Sequence, residues 1–221
     1  CIRDSLVARA SGFVMSNAVD LQQHADDKTR CWWCGRDPLY VSYHDEEWGM
    51  PVDDDRRLFE KICLEGFQAG LSWITILRRR EAFRAAFCDF EFRQLVSFGE
   101  DHVEKLVTDA SIIRHRGKIE SVLNNARRAM ELIEQTGSLA AFLWRFEPAR
   151  SKPPRRRDQI AAKTEESTAL SKELKRRGWS FVGPTTCYAM MQAVGMVNDH
   201  LSECDTWSIV ERSRQEFSRP V

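Results

Sequence analysis

The chain has 221 residues with 33 basic and 33 acidic side chains, so its formal net charge at pH 7 is zero. This length suits one domain or two small lobes sharing a cleft, and zero net charge excludes a simple polycation. The absence of an 18-residue apolar run excludes a membrane-spanning helix, and seven cysteines without the spacing of a disulfide framework favour a reducing compartment.

The first segment, residues 1–30, is interpreted as an N-terminal extension that is disordered or foreign to the domain, because the chain opens on Cys1 rather than Met. It lacks the pattern of a secretory signal peptide, so we expect a cytoplasmic protein. A domain is predicted over residues 31–205, followed by a C-terminal tail over residues 206–221.

Within that domain the pattern is helical almost throughout. Apolar residues recur at three- and four-residue spacing, aspartates at 53–55 suit an N-terminal cap, and Gly178 suits a helix stop. The predicted helices span residues 56–69, 81–87, 99–108, 117–134, 138–146, 168–177 and 184–195. No segment shows convincing period-2 alternation, and the sequence therefore predicts an all-α fold.

Glu65 is the most informative single residue. It lies in an apolar and small-residue stretch, on a helix whose Leu58 and Ile62 are suited to burial. A buried carboxylate is costly unless a cation or a hydrogen-bond donor meets it. Trp73 follows eight residues later, and tryptophan stacks well on a cationic ring. The stretch indicates a site for a flat cationic group, and the alternative is a helix glutamate exposed to solvent.

Cysteine and histidine cluster at the two ends of the predicted domain. Cys31, Cys34 and His44 lie near its start, and His200 and Cys204 lie near its end. Four such ligands suit a closed tetrahedral zinc that would hold the chain ends together. Spacing favours Cys31 and Cys34 as one pair. The other ligand set replaces Cys34 by His44, and spacing alone does not separate the two.

Two segments indicate contacts with a phosphate backbone. Residues 112–118 concentrate basic side chains, and residues 178–186 form a predicted tight hairpin in which Gly183 precedes a helix starting at Pro184. Such a hairpin directs backbone N–H groups outward, where they bind a DNA phosphate without reading sequence. Solvated helix faces and ordinary helix connections share these patterns.

Together these segments resemble the bacterial 3-methyladenine DNA glycosylase I family, which belongs to the helix-hairpin-helix glycosylase superfamily. The resemblance extends from Cys31 to Cys204, and so many motifs in one order are highly specific. The motifs are DPLY at 37–40, YHD at 43–45, EWG at 47–49, CLEG at 63–66, QAGLSW at 68–73, IIRHRGK at 112–118, FVG at 181–183 and VNDH at 197–200. The family usually has glycine where this chain has Ser111.

The resemblance implies two helical lobes around a cleft and one structural zinc per chain. It implies a monomeric, monofunctional DNA glycosylase that excises 3-methyladenine from double-stranded DNA in base excision repair. Glu65 is the implied catalytic and base-recognising residue. The implied zinc ligands are Cys31, His44, His200 and Cys204, a set without Cys34. The implied base-binding residues are Trp33, Tyr40, Tyr43 and Trp73. The expected DNA contacts are Gly70, Leu71, Arg114, Lys118, Gly183 and Thr185.

Other function classes fit the residues less well. A glycosylase with lyase activity needs an amine nucleophile near the hairpin, yet no lysine occurs between Gly178 and Leu201. Asp199 stands beside the expected zinc ligand His200, which disfavours an aspartate-driven glycosylase acting on neutral bases. A non-enzymatic, zinc-containing DNA-binding module would not need Glu65 in an aromatic pocket.

Overall fold

The computed structural model describes residues 20–150 and 152–221. The helices of this part of the chain are α1 (Pro38–Glu46), α2 (Asp55–Gln68), α3 (Trp73–Leu77), α4 (Arg80–Ala86), α5 (Phe92–Leu95), α6 (Glu100–Thr108), α7 (Arg116–Thr136), α8 (Leu139–Trp144), α9 (Glu165–Arg176), α10 (Pro184–Ala193) and α11 (Asp205–Glu216). Short 3-10 helices occupy Trp32–Cys34, Cys88–Phe90 and Arg157–Gln159. None of the described helices is long and apolar enough to cross a membrane.

The predicted all-α architecture is confirmed, and every predicted helix is present with its ends within three residues of the expected positions. The sequence reading missed α1, α3, α5 and α11. Helix α1 has a clear start signal, because the Asp37 carboxylate accepts hydrogen bonds from the amides of Leu39 and Tyr40, and Pro38 occupies the first turn. The short α3 and α5 have too few turns for a periodic pattern to identify them.

A small β-hairpin precedes the helices and corrects the interpretation of residues 1–30. Strand β1 (Leu21–Gln23) pairs antiparallel with β2 (Thr29–Cys31). The amide of Thr29 donates to Asp205 at 2.6 Å, so this hairpin is joined to the far end of the chain. Residues 20–30 therefore belong to the domain, whereas residues 1–19 lie outside the described residues.

The predicted C-terminal tail is also part of the domain, because most of it forms α11. Val210 and Arg214 of this helix are buried. The Arg214 guanidinium donates to the carbonyl oxygens of Gly195 at 2.7 Å and Met196 at 2.8 Å, and it pairs with Glu147 at 3.4 Å. These bonds connect α11 to the turn after α10.

Helix α2 runs through the core and positions the residues of the candidate site. Every side chain of α2 from Leu58 to Gln68 is buried, and the helix packs against α3, α7, α8 and α10. A Cβ atom on Gly66 would lie only 3.3 Å from Cβ of Phe181. The hairpin between α9 and α10 therefore approaches α2 closely, directly beside Glu65.

Candidate active site and metal centre

Glu65 is buried on α2, with 5% of its surface exposed. Its Oε2 atom has no hydrogen-bond partner among the described residues. Burial raises the pKa of the Glu65 carboxyl, and among the described residues the charge of Lys61 opposes that shift. A buried carboxylate oxygen without a partner is costly, and a ligand that donates a hydrogen bond or carries positive charge would remove that cost.

Four buried aromatic side chains form a cluster that includes every ring expected in the pocket. The ring centroids of Tyr43 and Trp73 are 5.3 Å apart, those of Trp33 and Tyr40 are 5.2 Å apart, and those of Trp33 and Tyr43 are 6.4 Å apart. Burial and then the charge of Glu65 raise the pKa of Tyr43. The buried indole N–H groups of Trp33 and Trp73 have no hydrogen-bond partner in the part of the chain that the structure describes.

Lys61 is a charged residue of this region that the sequence reading did not single out. It is 5% exposed, and its ammonium lies 4.8 Å from the ring centroid of Tyr43 and 5.8 Å from that of Trp73. Its nearest carboxylate oxygen belongs to Glu47, at 3.4 Å. The sequence feature that could have identified Lys61 is its position one helical turn before Glu65, which puts both side chains on the same face of the helix.

The second cluster consists of Cys31, His44, His200 and Cys204, all buried, with one potential ligand atom each and all four atoms within 4.8 Å of one another. Cys31 Sγ lies 3.8 Å from His200 Nδ1. Cys204 Sγ lies 3.6 Å from His44 Nε2 and 3.7 Å from His200 Nδ1. The cluster joins β2, α1 and the segment before α11, and its donor set suits a metal ion.

Hydrogen bonds outside the cluster fix which histidine nitrogens face its centre. His44 Nδ1 lies 2.8 Å from an Asp45 carboxylate oxygen, and Asp45 is held in turn by the buried Arg30, whose Nε is 2.9 Å away. His200 Nε2 lies 3.0 Å from the Trp48 carbonyl oxygen. Metal-binding histidines commonly make such bonds through the nitrogen that does not bind the metal.

Cys34 lies outside this cluster, so the preference for a Cys31 and Cys34 ligand pair is wrong. The Cys34 thiol points away and donates to the Cys31 carbonyl oxygen, with Sγ and O 3.3 Å apart. The spacing of the two cysteines is typical of a metal-binding pair, but the 3-10 helix of Trp32–Cys34 turns the second thiol away from the cluster.

The hairpin before α10 presents backbone amides to the surface. Its inner side is fixed by α7, since Asn125 Nδ2 donates to the Ser180 carbonyl at 3.0 Å and the Ser180 amide donates to Asn125 Oδ1 at 3.0 Å. Gly183 caps α10 and Pro184 occupies its first turn. The first-turn amides, including that of Thr185, have no partners within the helix, which makes this end suited to an anion.

A family described as methyladenine glycosylase matches residues 33–208 of the chain. The protein belongs to this family. DNA-3-methyladenine glycosylase 1 of Escherichia coli K12 is 48% identical over 177 residues, which cover 79% of this chain and 95% of that protein.

Solved structures of the family have the same fold. A crystal structure of 3-methyladenine DNA glycosylase I matches with a TM-score of 0.76 and 49% identity, over 80% of this chain and 98% of that one. A tyrosine-to-phenylalanine variant of 3-methyladenine DNA glycosylase I, in complex with 3-methyladenine, matches with a TM-score of 0.74 and 34% identity, over 77% and 93%.

The basic segment at residues 112–118 contains both exposed and buried cationic side chains. Arg114 is exposed, whereas Lys118 is buried. The Lys118 ammonium donates to the carbonyl oxygens of Phe67 at 2.8 Å and Ala69 at 2.6 Å. The expectation that Lys118 contacts DNA is therefore corrected, because its ammonium is committed to the end of α2.

The family's glycine before Ile112 is replaced by serine without backbone strain. Ser111 is absent from the non-glycine residues with positive φ in the described chain. Its amide and hydroxyl both donate to an Asp109 carboxylate oxygen, at 2.8 and 2.6 Å, which stabilises the turn. Just after the end of α2, Gly70 has a φ of 83°, and the following Leu71 is 37% exposed.

Proposed function

We propose that the protein is a monofunctional DNA glycosylase that excises 3-methyladenine from double-stranded DNA by hydrolysing the N-glycosidic bond in base excision repair. The observation that carries this proposal is the buried Oε2 atom of Glu65, which has no partner among the described residues and lies one helical turn after Lys61, whose ammonium lies over the rings of Tyr43 and Trp73. The activity named for the similar proteins supports the same substrate. Because its substrate would be the bacterial chromosome, we propose that the protein acts in the cytoplasm. We also propose that it acts as a monomer.

The chemistry of the lesion fits a site of this kind. N3-methyladenine in DNA is positively charged, so its glycosidic bond is already weak and the departing base is neutral. The enzyme then needs a pocket that selects a flipped, electron-poor purine more than it needs a strong acid. Stacking on desolvated aromatic rings favours a cationic base by about 1 to 2 kcal/mol.

Glu65 has two roles in this proposal. Its carboxylate accepts a hydrogen bond from the exocyclic amine of the flipped base, and its charge favours the methylated, cationic ring. As the bond to the sugar breaks, the same charge stabilises the positive character that develops on the sugar. Because the Oε2 atom has no partner within residues 20–150 and 152–221, it can make this bond.

DNA binding is proposed for the surface around the hairpin. The amides of Gly183 and Thr185 would bind a backbone phosphate, and Arg114 would add a sequence-independent electrostatic contact. Leu71, presented by the turn at Gly70, would fill the space left by the flipped base. This arrangement reads no sequence, as a repair enzyme requires.

Zinc is the metal proposed for the Cys31, His44, His200 and Cys204 cluster. With typical zinc–sulfur and zinc–nitrogen bond lengths, tetrahedral geometry separates a sulfur and a nitrogen ligand by about 3.6 Å. Three of the four sulfur–nitrogen distances in the cluster, 3.6, 3.7 and 3.8 Å, agree with that value. Four protein ligands leave no open position, so the zinc would be structural.

The proposed activity is tested by incubating the purified protein with methylated double-stranded DNA and separating the released bases by chromatography. We expect free 3-methyladenine, and no adduct between protein and DNA after borohydride reduction. A trapped adduct would indicate a Schiff base and a lyase. DNA binding without release of any base would instead support a non-enzymatic binding module and overturn the proposal.

A further inference from the structure

The buried lysine next to the aromatic cluster has no part in the reaction proposed above, yet its position relates it directly to Glu65. Lys61 and Glu65 are one turn apart on α2, so their side chains project from the same face of the helix. The Lys61 ammonium also lies over the rings of Tyr43 and Trp73, the two rings proposed to hold the base. Lys61 is therefore a fixed positive charge beside the pocket.

The neighbouring carboxylates are already paired with other cations. Glu47, which lies 3.4 Å from Lys61, accepts two shorter hydrogen bonds from Arg80, at 2.6 and 2.8 Å. Glu60, on the same helix, is bound by Arg84 of α4 at 2.9 Å. Because each of these carboxylates has an arginine partner, much of the charge of Lys61 is left uncompensated.

Glu65 is the remaining carboxylate near this charge. Among the described residues, the charge that acts on Glu65 is that of Lys61 on its own helix. Glu65 in turn raises the pKa of the Tyr43 phenol, after burial. Burial disfavours the ionised form of Glu65, whereas a nearby cation favours it. Burial also lowers the pKa of Lys61, but the adjacent Glu47 opposes that shift.

We propose that Lys61 is a positioning residue that keeps Glu65 in its carboxylate form before the base enters, and so sets the acid limit of base recognition. This inference rests on the proposed function, since it concerns how the same pocket stays ready for a cationic purine. Lys61 would contact neither the reacting bond nor the sugar. It acts through Glu65.

The test compares the unsubstituted protein with its Lys61→Met and Lys61→Arg variants. Methionine keeps the length and packing of the side chain but removes its charge, and arginine keeps the charge. Binding of free 3-methyladenine is measured over a series of pH values by tryptophan fluorescence, with Glu65→Gln as the protein that has no carboxylate to titrate. Lys105→Met, on the exposed surface of α6, controls for the loss of one positive charge.

We expect Lys61→Met to move the acid limit of binding to higher pH by about one unit, equivalent to about a tenfold loss of affinity on the acid side. Lys61→Arg and Lys105→Met should keep the wild-type limit. Carbon-13 NMR of labelled glutamate, assigned with Glu65→Gln, should show the same shift in the titration of Glu65 without any ligand.

Two results would overturn the inference. A loss of affinity in Lys61→Met that is equal at every pH would mean that the lysine only supports packing. If the titration of Glu65 is the same in Lys61→Met as in the wild type, the charge of Lys61 does not act on the Glu65 carboxyl group. If the wild-type protein binds no 3-methyladenine, or if Glu65→Gln keeps the acid limit, the proposed function itself fails along with the inference.

Discussion

The ammonium group of Lys118 lies 2.6 Å from the carbonyl oxygen of Ala69, at the point where α2 ends. A helix leaves its last carbonyl groups without partners inside the helix, and a cation placed there stabilises that end. Lys118 thereby joins α7 to the helix that carries Glu65. It also fixes the direction in which the chain leaves α2 toward the turn at Gly70.

We expect Lys118→Ala to lower the free energy of unfolding by about 2 kcal/mol, because two charge-assisted hydrogen bonds to carbonyls are lost. For a domain of this size that corresponds to a fall of about 4 to 8 °C in Tm, measurable by calorimetry. Arg114→Ala is the matched comparison, since Arg114 is exposed. It should leave Tm unchanged, weaken binding to all DNA sequences alike and flatten the salt dependence.

A Lys118→Ala protein with the wild-type Tm but weaker DNA binding would return Lys118 to the phosphate-contacting role first expected for it. A sequence-selective loss in Arg114→Ala would mean that this side chain reads bases.

Glu65→Gln should reduce excision of 3-methyladenine by about 10- to 1000-fold, or about 1.4 to 4 kcal/mol of barrier. The substitution keeps the shape of the side chain but removes its charge and places a donor against the adenine amine. Trp73→Ala should have a similar effect through lost stacking. Single-turnover release from methylated DNA measures both, with Glu134→Gln on the exposed surface of α7 as control. Near-normal excision by Glu65→Gln would place the pocket elsewhere.

Removing the metal should destabilise the protein without acting on the reaction directly. We expect elemental analysis to find one zinc per chain, and a chelator to lower Tm. Cys204→Ala should lose the metal, whereas Cys34→Ala should retain it, because the Cys34 thiol is turned toward a carbonyl oxygen. Full zinc content in a protein carrying both Cys204→Ala and His44→Ala would exclude the proposed ligands.

The raised pKa of Glu65 gives the affinity for 3-methyladenine a defined pH dependence. The folded protein holds this proton more tightly than the unfolded chain does. Stability contributed by the protonated group is therefore lost as pH rises from the usual carboxyl range through the folded pKa, and is constant above it. Base binding follows the opposite course and fails as pH falls through that same pKa. Calorimetric titrations at a series of pH values should show this loss of affinity for 3-methyladenine in the wild type. An equal loss of affinity at low pH in Glu65→Gln would refute the assignment to Glu65.

The sequence was most informative where a short range of the chain determines the structure. The apolar spacing and the aspartate caps of α2 predict that helix, and its length places Glu65 among buried neighbours. The pairing of Tyr40 and Tyr43 one turn apart follows once α1 is known, and Asp37 with Pro38 was sufficient signal for its start.

Contacts between distant segments could not be predicted in the same way. The charge of Lys118 is visible in the sequence, but only the packing of α7 against α2 places its ammonium under a helix end. Likewise, Cys34 has ideal spacing from Cys31, and only the direction of its thiol excludes it. The β-hairpin at residues 21–31 is too short to show alternation, and its bond to Asp205 spans most of the chain.

The unpartnered oxygen of Glu65 also bears on how the protein can evolve. A buried polar atom without a hydrogen bond costs about 1 to 3 kcal/mol of folding stability, and more when it is charged. An apolar residue at position 65 would therefore give a more stable protein that no longer recognises its base. Natural selection for stability and for repair act against each other at this one atom, so variants selected only for heat resistance should lose the carboxylate early.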